Sequence, residues 1–439
     1  MTAVRSCAAE GYLVKHDTAS VDARYKRQFG VRAGYLPKKR EALHPWHTEM
    51  QTKVAGVKAK GEVRIVSESV RELGRLIESD PMVRMYVHEM LEQVRLLDGV
   101  PPTPRTVEEL LIALDHITRT APQYDRTHSV AFPMSALFSY MMMTDAGEAI
   151  FRNAAFNDAI RLILKEWYRY LNTPESRHTI NDGPHGWLSP FAYQDMQLYE
   201  FVTDPSDPHW GWKSYNDFFH RAIKPEARPV AGPGDPSVIV SANDGHVLTI
   251  ARGVKRTDEF WLKGEPYSLA DMLDRSAYVD RFVNGYVFQS FLSGANYHRW
   301  HAPVDGTVEA AYVVNGLQFS DAESAGPDPG ADLAEGYYAS VNTRGLVFIR
   351  AANKAIGLVC VIPIGITEIS SVEITVKAGD TVQKGDQLGY FSYGGSTLAL
   401  VFEHGAIDHF TAPAPPKGQF DPGDGPPIQV NAQIAVANV

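Results

Sequence analysis

The sequence predicts an α+β protein, helical in its first half and mostly strands in its second. Three observations lead there. Apolar residues recur at three- and four-residue spacing from Glu62 to about Leu171. Beyond about residue 230, short β-branched runs alternate with Gly/Asp turns. Between the two, near Asn172, the texture changes to Pro, Gly and Asp, as in Asp204-Pro205-Ser206-Asp207-Pro208.

Taken in order, residues 1–60 are polar with no sustained period and are expected to be partly ordered at best. Helices are expected over Val70-Leu73-Leu76-Ile77, over Val83-Tyr86-Met90-Leu91-Val94 and over Val107-Leu110-Leu111-Leu114-Ile117. Thr106 reads as an N-cap followed by acidic Glu108 and Glu109. One further helix is expected from roughly Glu148 to Tyr170, and Met141-Met142-Met143 reads as core packing. Strands are expected at Val238–Val240, Gly285–Phe288, Val308–Val314, Leu346–Ile349, Leu358–Ile364 and Val372–Val376. Gly394-Gly395-Ser396 reads as a turn after the apolar run Leu388–Phe391.

Composition excludes several classes. The 439 residues carry a net charge of -10 and no long Lys/Arg block, which argues against a nucleic-acid partner or an anionic membrane surface. The longest apolar stretch, Val130 to Met143, is interrupted by Pro133 and Ser135 and is too short to span a bilayer. Residues 1–20 lack the apolar core of a signal peptide. Two distant cysteines, Cys7 and Cys360, make no disulfide framework and fit a reducing, cytoplasmic location.

Four groups of residues carry chemistry. A Gly-Gly-Ser sequence gives a serine hydroxyl unusual access to the preceding carbonyl, because glycine adopts conformations closed to other residues. If Ser396 attacks Gly395, the amide becomes an ester. β-Elimination then frees the Gly395 carboxylate, and hydrolysis of the resulting dehydroalanine leaves a pyruvoyl group and ammonia. In Tyr297-His298-Arg299-Trp300-His301, two histidines three apart lack the third ligand a metal would need. One of them is instead a candidate base for a hydroxyl, with Asp244 or Asp305 to orient it. Lys377–Leu388 holds two Gly-Asp turns and resembles a lipoyl-type hammerhead, although neither Lys377 nor Lys384 sits at a hairpin tip. Asp321, Glu323, Asp328, Asp332 and Glu335 crowd a Gly/Pro-rich loop, read as solvated, with a calcium site as the alternative.

In combination these boxes resemble the phosphatidylserine decarboxylase family, whose members cut themselves to make a pyruvoyl cofactor. The resemblance rests on Gly394-Gly395-Ser396-Thr397, on Tyr297 through Pro303, and on Ser241-Ala242-Asn243-Asp244-Gly245. Tyr215–Arg221 with Arg228-Pro229, and Lys263–Leu269, agree as well. It implies cleavage between Gly395 and Ser396 by an Asp244–His301–Ser396 triad, with His298 serving substrate contact or proton delivery. It also implies a barrel-sandwich-hybrid core and a Schiff base between the pyruvoyl carbonyl and a substrate amine. The two fragments are expected to stay associated, and a homo-oligomer is compatible with the resemblance.

The helical region and the absence of an apolar anchor resemble the family's soluble fungal subgroup, which includes tryptophan and related aromatic amino acid decarboxylases. The implied layout is a segment 1–60, a helical associated domain 61–204 and a decarboxylase domain 205–439. An aromatic L-amino acid is the expected substrate, tryptophan before phenylalanine or tyrosine, with phosphatidylserine as the alternative. A serine hydrolase is a further alternative, although Ser396 lacks the Gly-x-Ser-x-Gly elbow.

Overall fold

The computed structural model describes residues 43–61, 63–97, 99–124, 132–260, 266–294, 296–320, 334–368, 371–393, 395–415 and 425–438. The candidate calcium ligands Asp321, Glu323, Asp328 and Asp332 lie outside them.

The first part is helical: α1 (His44–Lys58), α2 (Glu68–Ser79), α3 (Pro81–Arg95), α4 (Val107–Ile117), α5 (Pro133–Phe138), α6 (Asp145–Phe151) and α7 (Ala154–Leu171). Side-chain caps set several boundaries. Thr106 accepts from the Glu109 amide, and Asp80 accepts from the Met82 and Val83 amides ahead of Pro81. The single helix expected from Glu148 to Tyr170 is two. Asn153 breaks it by accepting from the Phe156 amide, so that α7 starts anew. Helix α1 lies in the stretch expected to lack a period. Its buried stripe is His47, Met50 and Val54, and a count of apolar residues passes over the histidine.

The second part is strands. They are β1 (Val238–Val240), β2 (Gly245–Arg252), β3 (Tyr286–Leu292), β4 (Arg299–His301), β5 (Gly306–Val314), β6 (Arg344–Ala351) and β7 (Leu358–Ile366). The chain continues through β8 (Val372–Ile374), β9 (Thr381–Val382), β10 (Gln387–Phe391), β11 (Gly395–Phe402), β12 (Ile407–Phe410), β13 (Pro427–Ile428) and β14 (Gln433–Ala437). An eight-stranded sheet runs β13-β2-β3-β11-β7-β6-β5-β9, and two three-stranded sheets run β1-β14-β12 and β4-β10-β8. Among the described residues no sheet closes into a barrel.

Alternation sorts the large sheet into two cores. Val287, Phe291, Leu346, Phe348, Cys360, Ile362, Ala399 and Val401 join the helices in one. Phe288, Leu292, Val347, Ile349, Val359, Val361, Leu398 and Leu400 pack in the other, with residues of the small sheets. With both faces covered, β7 is buried along its whole length. The same double burial explains β11. The Gly-Gly-Ser stretch reads locally as a turn, yet Gly395 and Ser396 open a central strand because Leu398–Phe402 must serve both cores.

Candidate active site

Ser396 sits at the head of β11, opposite Leu292 of β3 on one side and Gly365 of β7 on the other. It is fully buried, and its Oγ has no hydrogen-bond partner. The next residue is bound tightly. Thr397 Oγ1 donates to the Ser290 carbonyl at 2.8 Å and accepts from Gln289 Nε2 at 2.9 Å. Among the described residues no helix follows Ser396; the chain continues from β11 to β12.

His301 ends β4. Its amide donates to the Ala242 carbonyl at 2.8 Å, tying it to the Asp-Gly box. Its Nδ1 lies 2.8 Å from the Gly385 carbonyl and must carry the proton; Nε2 then accepts from Tyr297 Oη at 2.9 Å. Burial holds the imidazole below its ordinary pKa, opposed by the Gly385 carbonyl and by Asp244. Asp305 Oδ1 accepts from the Lys384 amide at 2.7 Å, beside the Gly385 that holds the ring.

The Asp244 carboxylate is buried and saturated. Arg228 reaches it through Nε and Nη2, the closest approach being 2.7 Å, and the Val430 amide donates to Oδ1 at 2.7 Å. Arg228 also pairs with Glu200 at 2.8 Å. Gly245 follows because β3 passes too close for a side chain: a Cβ there would stand 2.1 Å from the Phe291 carbonyl oxygen.

His298 is fully buried, with its ring stacked on Phe219 at 3.9 Å. Burial, then Arg221 and His220, push its pKa well below the ordinary range, so the imidazole is neutral. Its ring nitrogens close no hydrogen bond of good geometry, although the Asn296 and Phe219 carbonyls oppose the shift.

The expected site residues thus occupy one end of the strand-rich part, but hydrogen bonds do not link them into a relay. Asp244 pairs with Arg228, His301 with Tyr297 and Gly385, and Ser396 with nothing. Tyr297 and Arg228 carried no expected role of their own, and only the Arg-Pro signature pointed toward Arg228. Lys384, inside the hammerhead-like stretch, is buried with Nζ donating to the carbonyls of Gly232, Asp235 and Val238, so it is no exposed carrier lysine. No metal-binding cluster of His, Cys, Asp or Glu occurs among the described residues, and no helix there is long and apolar enough to cross a membrane.

Two family models, both described as phosphatidylserine decarboxylase, match residues 215–424 and 67–196. A decarboxylase named iboD from Amanita muscaria is 40% identical over 291 residues, 62% of this chain and 83% of its own. An L-tryptophan decarboxylase from Psilocybe cubensis is 32% identical over 375 residues, 79% of this chain and 83% of that protein. A phosphatidylserine decarboxylase proenzyme from Fusobacterium nucleatum is 29% identical over 248 residues, 56% of this chain and 75% of the proenzyme. With the serine, histidine and aspartate boxes at one end of the sheet, these similarities show that the chain is a decarboxylase belonging to the phosphatidylserine decarboxylase family.

Proposed function

We propose that the chain cuts itself between Gly395 and Ser396 and uses the resulting pyruvoyl group to decarboxylate an aromatic L-amino acid. Tryptophan is the first choice, then phenylalanine or tyrosine. The observation that carries the reading is the buried, unpartnered Ser396 hydroxyl at the head of a central strand. Nothing competes for that oxygen, and the site fits a group made from it. The choice of substrate is supported by the similarity to a tryptophan decarboxylase, which extends over 79% of this chain.

In this reading His301 takes the Ser396 proton at Nε2, its unprotonated nitrogen, once Tyr297 yields that position. Asp244 favours the protonated ring by charge rather than contact. The pyruvoyl group, once formed, supplies the electron sink for loss of the substrate carboxylate. His298, neutral in the uncut chain, serves substrate contact, or proton delivery once substrate charge raises its pKa. Arg228 keeps the Asp244 charge in place.

The layout proposed is a helical associated domain at 61–204 and a decarboxylase domain at 205–439 with a lipoyl-like core, in the cytoplasm. The two Gly-Asp turns of Lys377–Leu388 support that core. The fragments stay together because β11 is paired on both sides by strands of the longer one. Self-association is an additional element of the proposal; the loop of Asp321, Glu323, Asp328 and Asp332 is read as solvated, with calcium as the alternative. Phosphatidylserine decarboxylation is the second reading, supported by the similarity to the proenzyme.

Intact mass tests the first step. The purified protein should appear as residues 1–395 plus a pyruvoyl-blocked chain from 396 to 439, and Ser396→Ala should stay whole and inactive. An active, uncut chain refutes the cofactor. Amine release from tryptophan, set against phosphatidylserine vesicles, tests the second; product from the lipid alone refutes the aromatic reading.

A further inference from the structure

Tyr393 lies three residues before Ser396, and four aromatic rings enclose its own. Phe132 stacks on it at 5.6 Å, while Trp167, Tyr215 and Phe219 present edges at 5.2, 5.3 and 5.2 Å. All five residues are buried. Such offset and edge-to-face contacts are the favoured geometries for a bound ring. The enclosure suits a ring better than it suits this tyrosine. Tyr393 Oη, Tyr215 Oη and the neighbouring Ser392 Oγ are all buried without hydrogen-bond partners, a cost the zymogen carries. The Ser392 amide reaches the Ser371 carbonyl at 3.1 Å, and the Tyr393 amide reaches Asn216 Oδ1 only at 3.4 Å.

We propose that this cage is the side-chain pocket for the aromatic substrate, filled before processing by the chain's own Tyr393 and vacated after the cut. The inference rests on the aromatic reading above. Cutting after Gly395 turns Ser392-Tyr393-Gly394-Gly395 into a chain end that carries a new carboxylate. An unpaired anion is strongly disfavoured in an apolar interior and is drawn toward water. Four residues reach about 13 Å when extended, enough to carry a ring out of the cage. Outside, the Tyr393 and Ser392 hydroxyls recover hydrogen bonds to water.

What remains is a slot for a flat, uncharged ring, with the residue 396 carbon near its mouth. Tyr215 Oη, buried without a partner on the wall of the cage, is suited to meet an indole N–H or phenol O–H. Burial, then Tyr215 and Glu368, push the Tyr393 phenol pKa well above its ordinary range. Glu368 is itself buried, with the Ser135 amide donating to it at 2.6 Å and the Ser135 and Thr367 hydroxyls on its other oxygen. Phe132 and Trp167 come from the helical part, which would therefore set substrate choice.

The probe is indole-3-propionic acid, which has the ring but no amine to react. Uncut Ser396→Ala protein should bind it weakly. The double variant Ser396→Ala/Tyr393→Ala, equally uncut but with an open cage, should bind at least tenfold more tightly by calorimetry. This gain cannot come from misfolding. Equal binding to both overturns the proposal. In processed wild-type protein a broad-specificity carboxypeptidase should remove Gly395, Gly394 and Tyr393 from the longer fragment, read by mass. A fully protected end in active enzyme overturns the release step. Tryptophan turnover combined with probe binding indifferent to Tyr393 refutes the pocket and spares the function. Turnover of phosphatidylserine alone refutes the function.

Discussion

The Asp244 corner and the Ser396 corner are both buried, but one is saturated with hydrogen bonds and the other is nearly bare. Around Asp244 stand Arg228, the Val430 amide and, one step away, Glu200. Aromatic rings stand around Tyr393, and the hydroxyls of Ser392, Tyr393 and Ser396 have no partners. A permanent charge is tolerated only where donors surround it. The bare corner suits the proposed conversion in place of a hydroxyl into a carbonyl. The difference separates the holding of charge from the making of bonds.

Breaking the saturated corner should produce the largest effect. Arg228→Ala leaves the Asp244 carboxylate buried without its cation and should cost about 3 kcal/mol or more of stability, measured by urea unfolding. An unchanged midpoint would mean that the Asp244 charge is solvated after all.

Acid should strike the bare corner next. Burial and Arg299 lower the His220 pKa to about 4, and His298 is lowered as well. A depressed histidine contributes stability that is fully present above about pH 6.5 and is lost as pH falls toward the folded-state value. By pH 5, His220 alone should remove about 2 kcal/mol, and His220→Gln should flatten the urea-midpoint slope between pH 7 and 5. An identical slope in that variant would remove His220 from the account.

The smallest change lies at the boundary between the corners. Tyr297→Phe frees His301 Nε2 and should speed cutting by up to about tenfold, the equivalent of one modest hydrogen bond. Slower cutting, followed by intact mass over time, would show instead that Tyr297 carries the proton.

Much of the fold was legible because it is local. Thr106 marks the start of α4, and the runs of β5, β6 and β7 read correctly from their β-branched residues. The exceptions have physical causes. Asn153 splits a continuous apolar pattern, and a buried histidine hides the stripe of α1. Two glycines disguise the start of β11. At the site, the boxes point to Ser396, His301, His298 and Asp244, but apart from Tyr297 the hydrogen-bond partners come from outside the boxes. Gly385, which orients His301, is 84 residues away, and Arg228 is 16 residues from Asp244. Pairings of that kind are set by packing and leave no periodic trace.

The position of β11 between β3 and β7 also fixes an order of events. A long fragment folded without residues 396–439 would hold a slot in the middle of its largest sheet. That slot would be lined by two rows of unpaired amides and carbonyls, a template for any foreign strand. The intact polypeptide avoids this state by closing its sheet while still one chain. With the cut where we propose it, folding has to come first and cleavage second, and the two pieces should not regain the native sheet once denatured and separated.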